Sequence, residues 1–164
     1  MNLVVADTGP LRYLVAIDAI QTLPALFPRI LVPPAVVAEL RHPHAPETVR
    51  RWAESLPSWI EIQRPDSAHD PLRLDPGESE AIGLALQLGA SLVLLDEREA
   101  RREAVRLGLA VSGTIGILER AAEKGLLNLE AAFARLTATN YRIDRRYLEE
   151  ALKRVQGRPQ NLKP

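Results

Sequence analysis

The chain reads as an α/β protein with a mainly parallel central sheet. Its short runs LVVA, ILV and LVLL are wholly apolar, as expected of strands buried on both faces rather than on one. Segments of helical periodicity separate these runs, and parallel neighbours need such crossovers. The runs ending at Ala6 and Leu95 are followed at once by Asp7 and Asp96, as if each strand delivered an acid to one sheet edge. Ligands of open parallel sheets bind beyond that carboxyl edge.

The elements follow in order. Leu3 to Ala6 is the first strand, and Asp-Thr-Gly-Pro turns it into a helix opened by Pro10. Leu11, Leu14 and Val15 continue at helical spacing, and a second helical piece through Leu23, Leu26 and Phe27 leads to a strand at Ile30 to Val32. Pro34 suits the first turn of a helix bearing Val36, Val37, Glu39 and Leu40. The loop RHPHAP, a helix from Glu47 to Leu56 and a third strand, Trp59 to Ile62, come next. Gln63 to Leu74 is polar, contains Pro65 and Pro71, and reads as loop. Asp75-Pro76-Gly77-Glu78 carries an N-cap, a proline at the first helical position and an acid three residues after the cap, so a helix runs from here to Leu88 and stops at Gly89. A strand at Ser91 to Leu95, a charged helix from Glu97 to Leu107, a strand at Leu109 to Val111 and a helix from Ile115 to Lys124 follow. The remainder is helical and ends in a polar tail expected to fray. The expected organisation is a main domain over 1–130, a helical C-terminal extension over 131–156 packed on it, and a tail over 157–164.

Composition narrows the classes. With 164 residues, 46% of them hydrophobic, the chain can bury the core of one ordinary domain. Basic and acidic residues balance at 21 each, so net charge says nothing about partners, although a local basic face remains open. Cysteine is absent, which excludes disulfides, thiolate metal sites and cysteine nucleophiles. The start MNLVVAD lacks a signal pattern, and no run approaches the roughly 18 apolar residues of a membrane span, so a cytoplasmic protein is expected.

Asp7, Glu39, Glu78 and Asp96 are the acids this topology could gather at one edge. Clustered carboxylates repel and call for a compensating charge, most simply a divalent cation with oxygen ligands. Each also has a plainer reading. Asp7 could only cap the next helix, Glu39 could be a solvated helix residue, and Glu78 completes a capping box with Asp75. Glu80, Glu97 and Glu99 suit a solvated face, and His42, His44 and His69 lie in loops without metal-ligand spacing. Only three of the 21 basic residues are lysines. Arg101 and Arg102, one turn past Asp96, could grip phosphate, but with Arg106 they interleave with Glu97, Glu99 and Glu103 at the spacing of ordinary helix-surface pairs.

The segments VVADTGPLRYLVAIDAIQTLPALFPRILVPPAVVAEL, LDPGESEAIGLALQLGASLVLLDEREARREA and VSGTIGILERAAEKGLL resemble PIN-domain proteins of a prokaryotic branch containing a DUF3368 region. The stretch LNLEAAFARLTATNYRIDRRYLEEALKRV is similar to that branch's helical extension. The resemblance implies a three-layer α/β/α fold, a Mg²⁺ or Mn²⁺ site of three or four acids, and cleavage of RNA. Many relatives are toxins held by a small antitoxin protein, and homodimers are common. Carried over, the acids are Asp7, with Thr8 beside it, then Glu39, Glu78 and Asp96. Glu80 and Glu97 are alternates for the metal, and Thr8, Thr114 and Arg101 are candidates to hold a phosphate or a water. Glu78 lies eleven residues before Gly89, the spacing expected of the third acid. It also shares a helix face with Ile82 and Ala85, whereas Glu80 groups with Gly83 and Gln87. Two other readings stand beside a ribonuclease: a PIN-like nucleic-acid-binding or regulatory module of weak or no activity, and an α/β phosphohydrolase with Asp7 as nucleophile. The latter lacks a second Asp two residues on, where Gly9 stands.

Overall fold

A computed structural model describes residues 2–69 and 74–157, so the expected tail beyond Gly157 and the Pro71 end of the polar loop lie outside the described residues. Five parallel strands form one sheet in the order β3-β2-β1-β4-β5. They are β1 (Val4–Ala6), β2 (Ile30–Val32), β3 (Ile60–Ile62), β4 (Leu92–Leu94) and β5 (Val111–Ser112). The helices between them are α1 (Thr8–Ala16), α2 (Thr22–Leu26), α3 (Pro34–Leu40), α4 (Glu47–Glu54), α5 (Pro76–Leu88), α6 (Arg98–Arg106) and α7 (Thr114–Glu123). Helices α8 (Leu129–Thr137) and α9 (Arg145–Gln156) complete the described chain, and none is long and apolar enough to cross a membrane.

The all-apolar strands are explained by their two covered faces. Val4, Ala6, Ile30, Val32, Leu92 and Leu94 point into one core with α1, α2, α3, α4, α7, α8 and α9. Val5, Leu31, Val93 and Leu95 point the other way onto α5 and α6. Alternation with period two thus splits each run between two cores, and the result is the three-layer α/β/α arrangement. Leu129, Phe133, Leu136 and Leu148 belong to the first core, so α8 and α9 are packed on the main body.

Strand β5 differs from expectation. The run Leu109 to Val111 looked like a strand, but Gly108 adopts a left-handed φ of 84° and the Leu109 amide bonds back to the Ala104 carbonyl at 3.0 Å. These are the two features of a helix C-terminal lock. Leu109 therefore belongs to the end of α6, and pairing with β4 starts two residues late, at Val111. The helix expected to reach Leu56 also stops earlier, at Glu54.

The sheet order places the site. After β1 the chain steps outward through β2 to β3, then crosses to the opposite side of β1 for β4. The connections leaving β1 and β4 diverge, opening a crevice between their carboxyl ends. Asp7 and Asp96 stand on its two lips, and the Asp7 amide donates to the Leu94 carbonyl across it at 3.0 Å.

Candidate metal centre and its acid cleft

A cleft of about 460 Å³ opens over that crevice, and six carboxylates line it: Asp7, Glu39, Asp75, Glu78, Asp96 and Glu97. Asp7 comes from the end of β1 and is 5% exposed. Although it is the N-cap residue of α1, its side chain makes no cap bond, so capping does not explain it. Its Oδ1 is buried without a hydrogen-bond partner among the described residues. Burial pushes the Asp7 carboxyl well above the usual carboxylate range; the Thr8 amide offsets this in part, and repulsion from Asp75, Glu78 and Glu39 adds to it.

Glu39 reaches the cleft from α3, which Pro34 starts. One of its oxygens accepts from the Thr8 hydroxyl, and Oε1 accepts from the Gly77 amide at 3.0 Å. Gly77 must be glycine for that approach, because a Cβ there would lie 2.6 Å from Glu39 Oε2. The Glu39 carboxyl is raised, first by burial and then by Asp75, with the Thr8 and Gly77 bonds acting the other way.

The start of α5 supplies two acids. Asp75 Oδ1 accepts from the Glu78 amide at 2.8 Å and Glu78 Oε2 accepts from the Asp75 amide at 3.0 Å, completing the expected capping box. Glu78 nevertheless lines the cleft while capping. Burial first, then repulsion from Asp75, Glu97 and Glu39, raises its carboxyl to about 7, and the Asp75 amide bond lowers it in part. Glu80 goes elsewhere: its Oε2 accepts from the Ala35 amide at 2.8 Å and so holds the first turn of α3.

Asp96, on the opposite lip, is already well held. The Thr114 amide donates to Oδ1 and the Thr114 hydroxyl to Oδ2, both at 2.7 Å, and Tyr141 in the C-terminal extension adds its hydroxyl to Oδ1 at 3.1 Å. Thr114 is fully buried and spends both donors on Asp96, so it orients an acid rather than facing solvent. Burial raises the Asp96 carboxyl, while Thr114, Tyr141 and the nearby Arg101 guanidinium pull it down. Arg101 is anchored through its Nη1 on the Leu95 carbonyl at 3.2 Å.

Three carboxylate oxygens, one each from Asp7, Glu39 and Asp75, lie within 4.8 Å of one another. Hard oxygen donors at this separation, on a set that includes Asp7 with its unpartnered Oδ1, fit a divalent ion such as Mg²⁺. In the sequence Asp75 reads only as a helix cap. Its signal was positional: a helix that begins at the sheet's carboxyl edge brings its N-cap to the same edge as the strand-end acids.

The histidines also need correction. His42 and His44 are exposed, as expected, but they line the acid cleft, and their rings stand edge to face 5.0 Å apart. His69 is half-buried and is bonded to Glu103 at 2.8 Å.

A sequence profile of the DUF3368 family, described as a PIN domain, matches residues 3–157. The chain belongs to that PIN-domain family. No curated protein matches it. PIN domains are a nuclease fold that works with divalent metal ions, and the acid cluster of this PIN-domain protein has the donor chemistry for one.

Proposed function

We propose that this PIN-domain protein is a Mg²⁺- or Mn²⁺-dependent endoribonuclease that hydrolyses RNA phosphodiester bonds in the cytoplasm. The observation that carries the reading is the buried Asp7 carboxyl, whose Oδ1 is without a partner beside Glu39 and Asp75. No folding role explains an acid kept there against its own desolvation. Asp7, Glu39 and Asp75 would hold the ion, with Asp96 facing them from the other lip. When bound, such an ion offsets charge on the phosphodiester and lowers the pKa of water at the site. Glu78, whose carboxyl burial pushes up to about 7, is suited to take a proton from the attacking water at physiological pH. Thr8 steers Glu39 through its hydroxyl, and Thr114 and Tyr141 fix the Asp96 carboxylate plane.

The test is cleavage of single-stranded RNA by the purified chain. Activity should require added Mg²⁺ or Mn²⁺, stop with EDTA, and vanish in a folded Asp7→Asn variant; undiminished cleavage by that variant refutes the proposal. In its host we propose the role of a toxin restrained by a small antitoxin protein, working as a homodimer. Induced expression should then arrest growth, and Asp7→Asn should relieve the arrest.

One observation favours a second reading, a binding module without turnover. Both Glu39 oxygens already hold protein donors, so the cluster is partly satisfied from within. Mn²⁺ binding by calorimetry without cleavage of any RNA tested would decide for it.

A further inference from the structure

A second groove of about 770 Å³ adjoins the acid cleft and shares only Asp96 with it. It is lined by α6, by the segment from Tyr141 to Tyr147 with α9, and by the turn from β5 into α7. Five arginines line it: Arg98, Arg101, Arg102, Arg142 and Arg154. Three acids also line it, and one of them, Glu119, offsets Arg154. Glu119 is bonded to Arg154 at 2.7 Å, Asp144 caps α9 through the Arg146 amide, and Asp96 is held by Thr114 and Tyr141.

The surface pairs expected along α6 form only in part. Glu103 takes Arg106 and His69, and Arg101 binds a carbonyl. Arg98, Arg102 and Arg142 are exposed and make no ion pair or side-chain hydrogen bond among the described residues. In a chain of zero formal net charge, three uncommitted guanidinium groups facing one groove are a local separation of charge. The rim carries Tyr147, 62% exposed.

We infer that this groove binds the backbone of a single-stranded polynucleotide, with Tyr147 stacking on an unpaired base, and leads the strand to the acid cleft at Asp96. Planar guanidinium forks match phosphate oxygens, and a bare phenol ring offers a face that any unpaired base can cover. An acidic peptide would satisfy the arginines but leave Tyr147 uncovered, and a duplex would present no free base face. The inference rests on the nuclease reading only for what happens at the groove's far end.

Binding is measured on the full chain in EDTA, by fluorescence anisotropy of labelled mixed-sequence single-stranded RNA, across a salt titration. Replacing Arg98, Arg102 and Arg142 together by Ala should reduce the slope of log K against log salt by about 2, since each single-strand phosphate contact is worth roughly 0.7. Tyr147→Ala should weaken binding about fivefold or more, and Tyr147→Phe should retain it. An unchanged slope in the triple variant, equal losses in Tyr147→Phe and Tyr147→Ala, duplex binding as tight as single strand, or a polyglutamate peptide binding where RNA does not would each overturn the inference. RNA held in EDTA through these residues but left uncut with Mn²⁺ would sink the nuclease reading and leave the groove standing. Cleavage at undiminished efficiency by the triple variant at low RNA would do the reverse.

Discussion

Replacing Asp7 by Asn should make the metal-free protein more stable while removing its response to metal. Asp7 Oδ1 has no hydrogen-bond partner among the described residues, and oxygens of Glu39 and Asp75 lie within 4.8 Å of an Asp7 oxygen. At that separation and an effective dielectric of 20, two unit charges repel by roughly 3.5 kcal/mol per pair. Asp75 is exposed and Glu39 half-exposed, so screening by solvent leaves about 1–3 kcal/mol in all. For a domain of this size that corresponds to a rise in Tm of about 2–10 °C. The sign follows from proton binding. A carboxyl whose folded-state pKa is raised holds more protons in the native state, so stability falls as pH climbs from its ordinary value to its folded one. For Glu78 that window is 4.5 to about 7, and Asp7 and Glu39 shift in the same direction. Differential scanning fluorimetry in EDTA should therefore show Asn ahead of Asp at pH 8, with the gap closing toward pH 4. Mn²⁺ at about 100 times its Kd should raise the wild-type stability by about 2.7 kcal/mol and leave Asp7→Asn unmoved. A lower Tm for Asp7→Asn at pH 8, or an equal response to Mn²⁺, would refute the argument and return Asp7 to a structural role.

Tyr141→Phe removes a donor that lowers the Asp96 carboxyl, so the acid limb of Mn²⁺ binding should move to higher pH, with a loss of about 0.5–1.5 kcal/mol in urea unfolding. Glu80→Ala should cost about 0.5–2 kcal/mol of stability, as the first turn of α3 loses its acceptor, without changing Mn²⁺ affinity, whereas Glu78→Ala should weaken Mn²⁺ binding in calorimetry. Gly83→Ala, ordinarily favourable inside a helix, should instead destabilise by about 1–3 kcal/mol in thermal unfolding. A Cβ there would press into the Ser67 carbonyl and come within 3.0 Å of the His69 amide, both backbone groups lying across α5.

The three inner strands β1, β2 and β4 are legible because each is short and wholly apolar, and the two-sided burial of Val4 to Ala6 is what such a run implies. The edge strand was misplaced because apolar residues serve equally to lock a helix end; Leu109 does this after Gly108, and periodicity cannot tell the two uses apart. The strand-end acids Asp7 and Asp96 were visible for the same reason as the strands. Asp75 was hidden by its capping role, since one carboxylate can hold an amide through one oxygen and face a cleft with the other. Tyr141 could not be found from spacing at all. It reaches Asp96 across 45 residues of chain, a contact decided by how the segment between α8 and α9 folds back over α1, where Tyr141 meets Tyr13 edge to face at 4.7 Å.

That long-range contact bears on the order in which the site is completed. By the time residue 97 has left the ribosome, every acid of the cleft has emerged, yet the third donor to Asp96, the Tyr141 hydroxyl, arrives only with residue 141. A nascent chain ending near α7 would carry the carboxylates and Thr114 but not the Tyr141 hydroxyl that completes the hold on Asp96. On the ribonuclease reading proposed above, full competence beside messenger and ribosomal RNA would then be deferred until the segment between α8 and α9 has emerged.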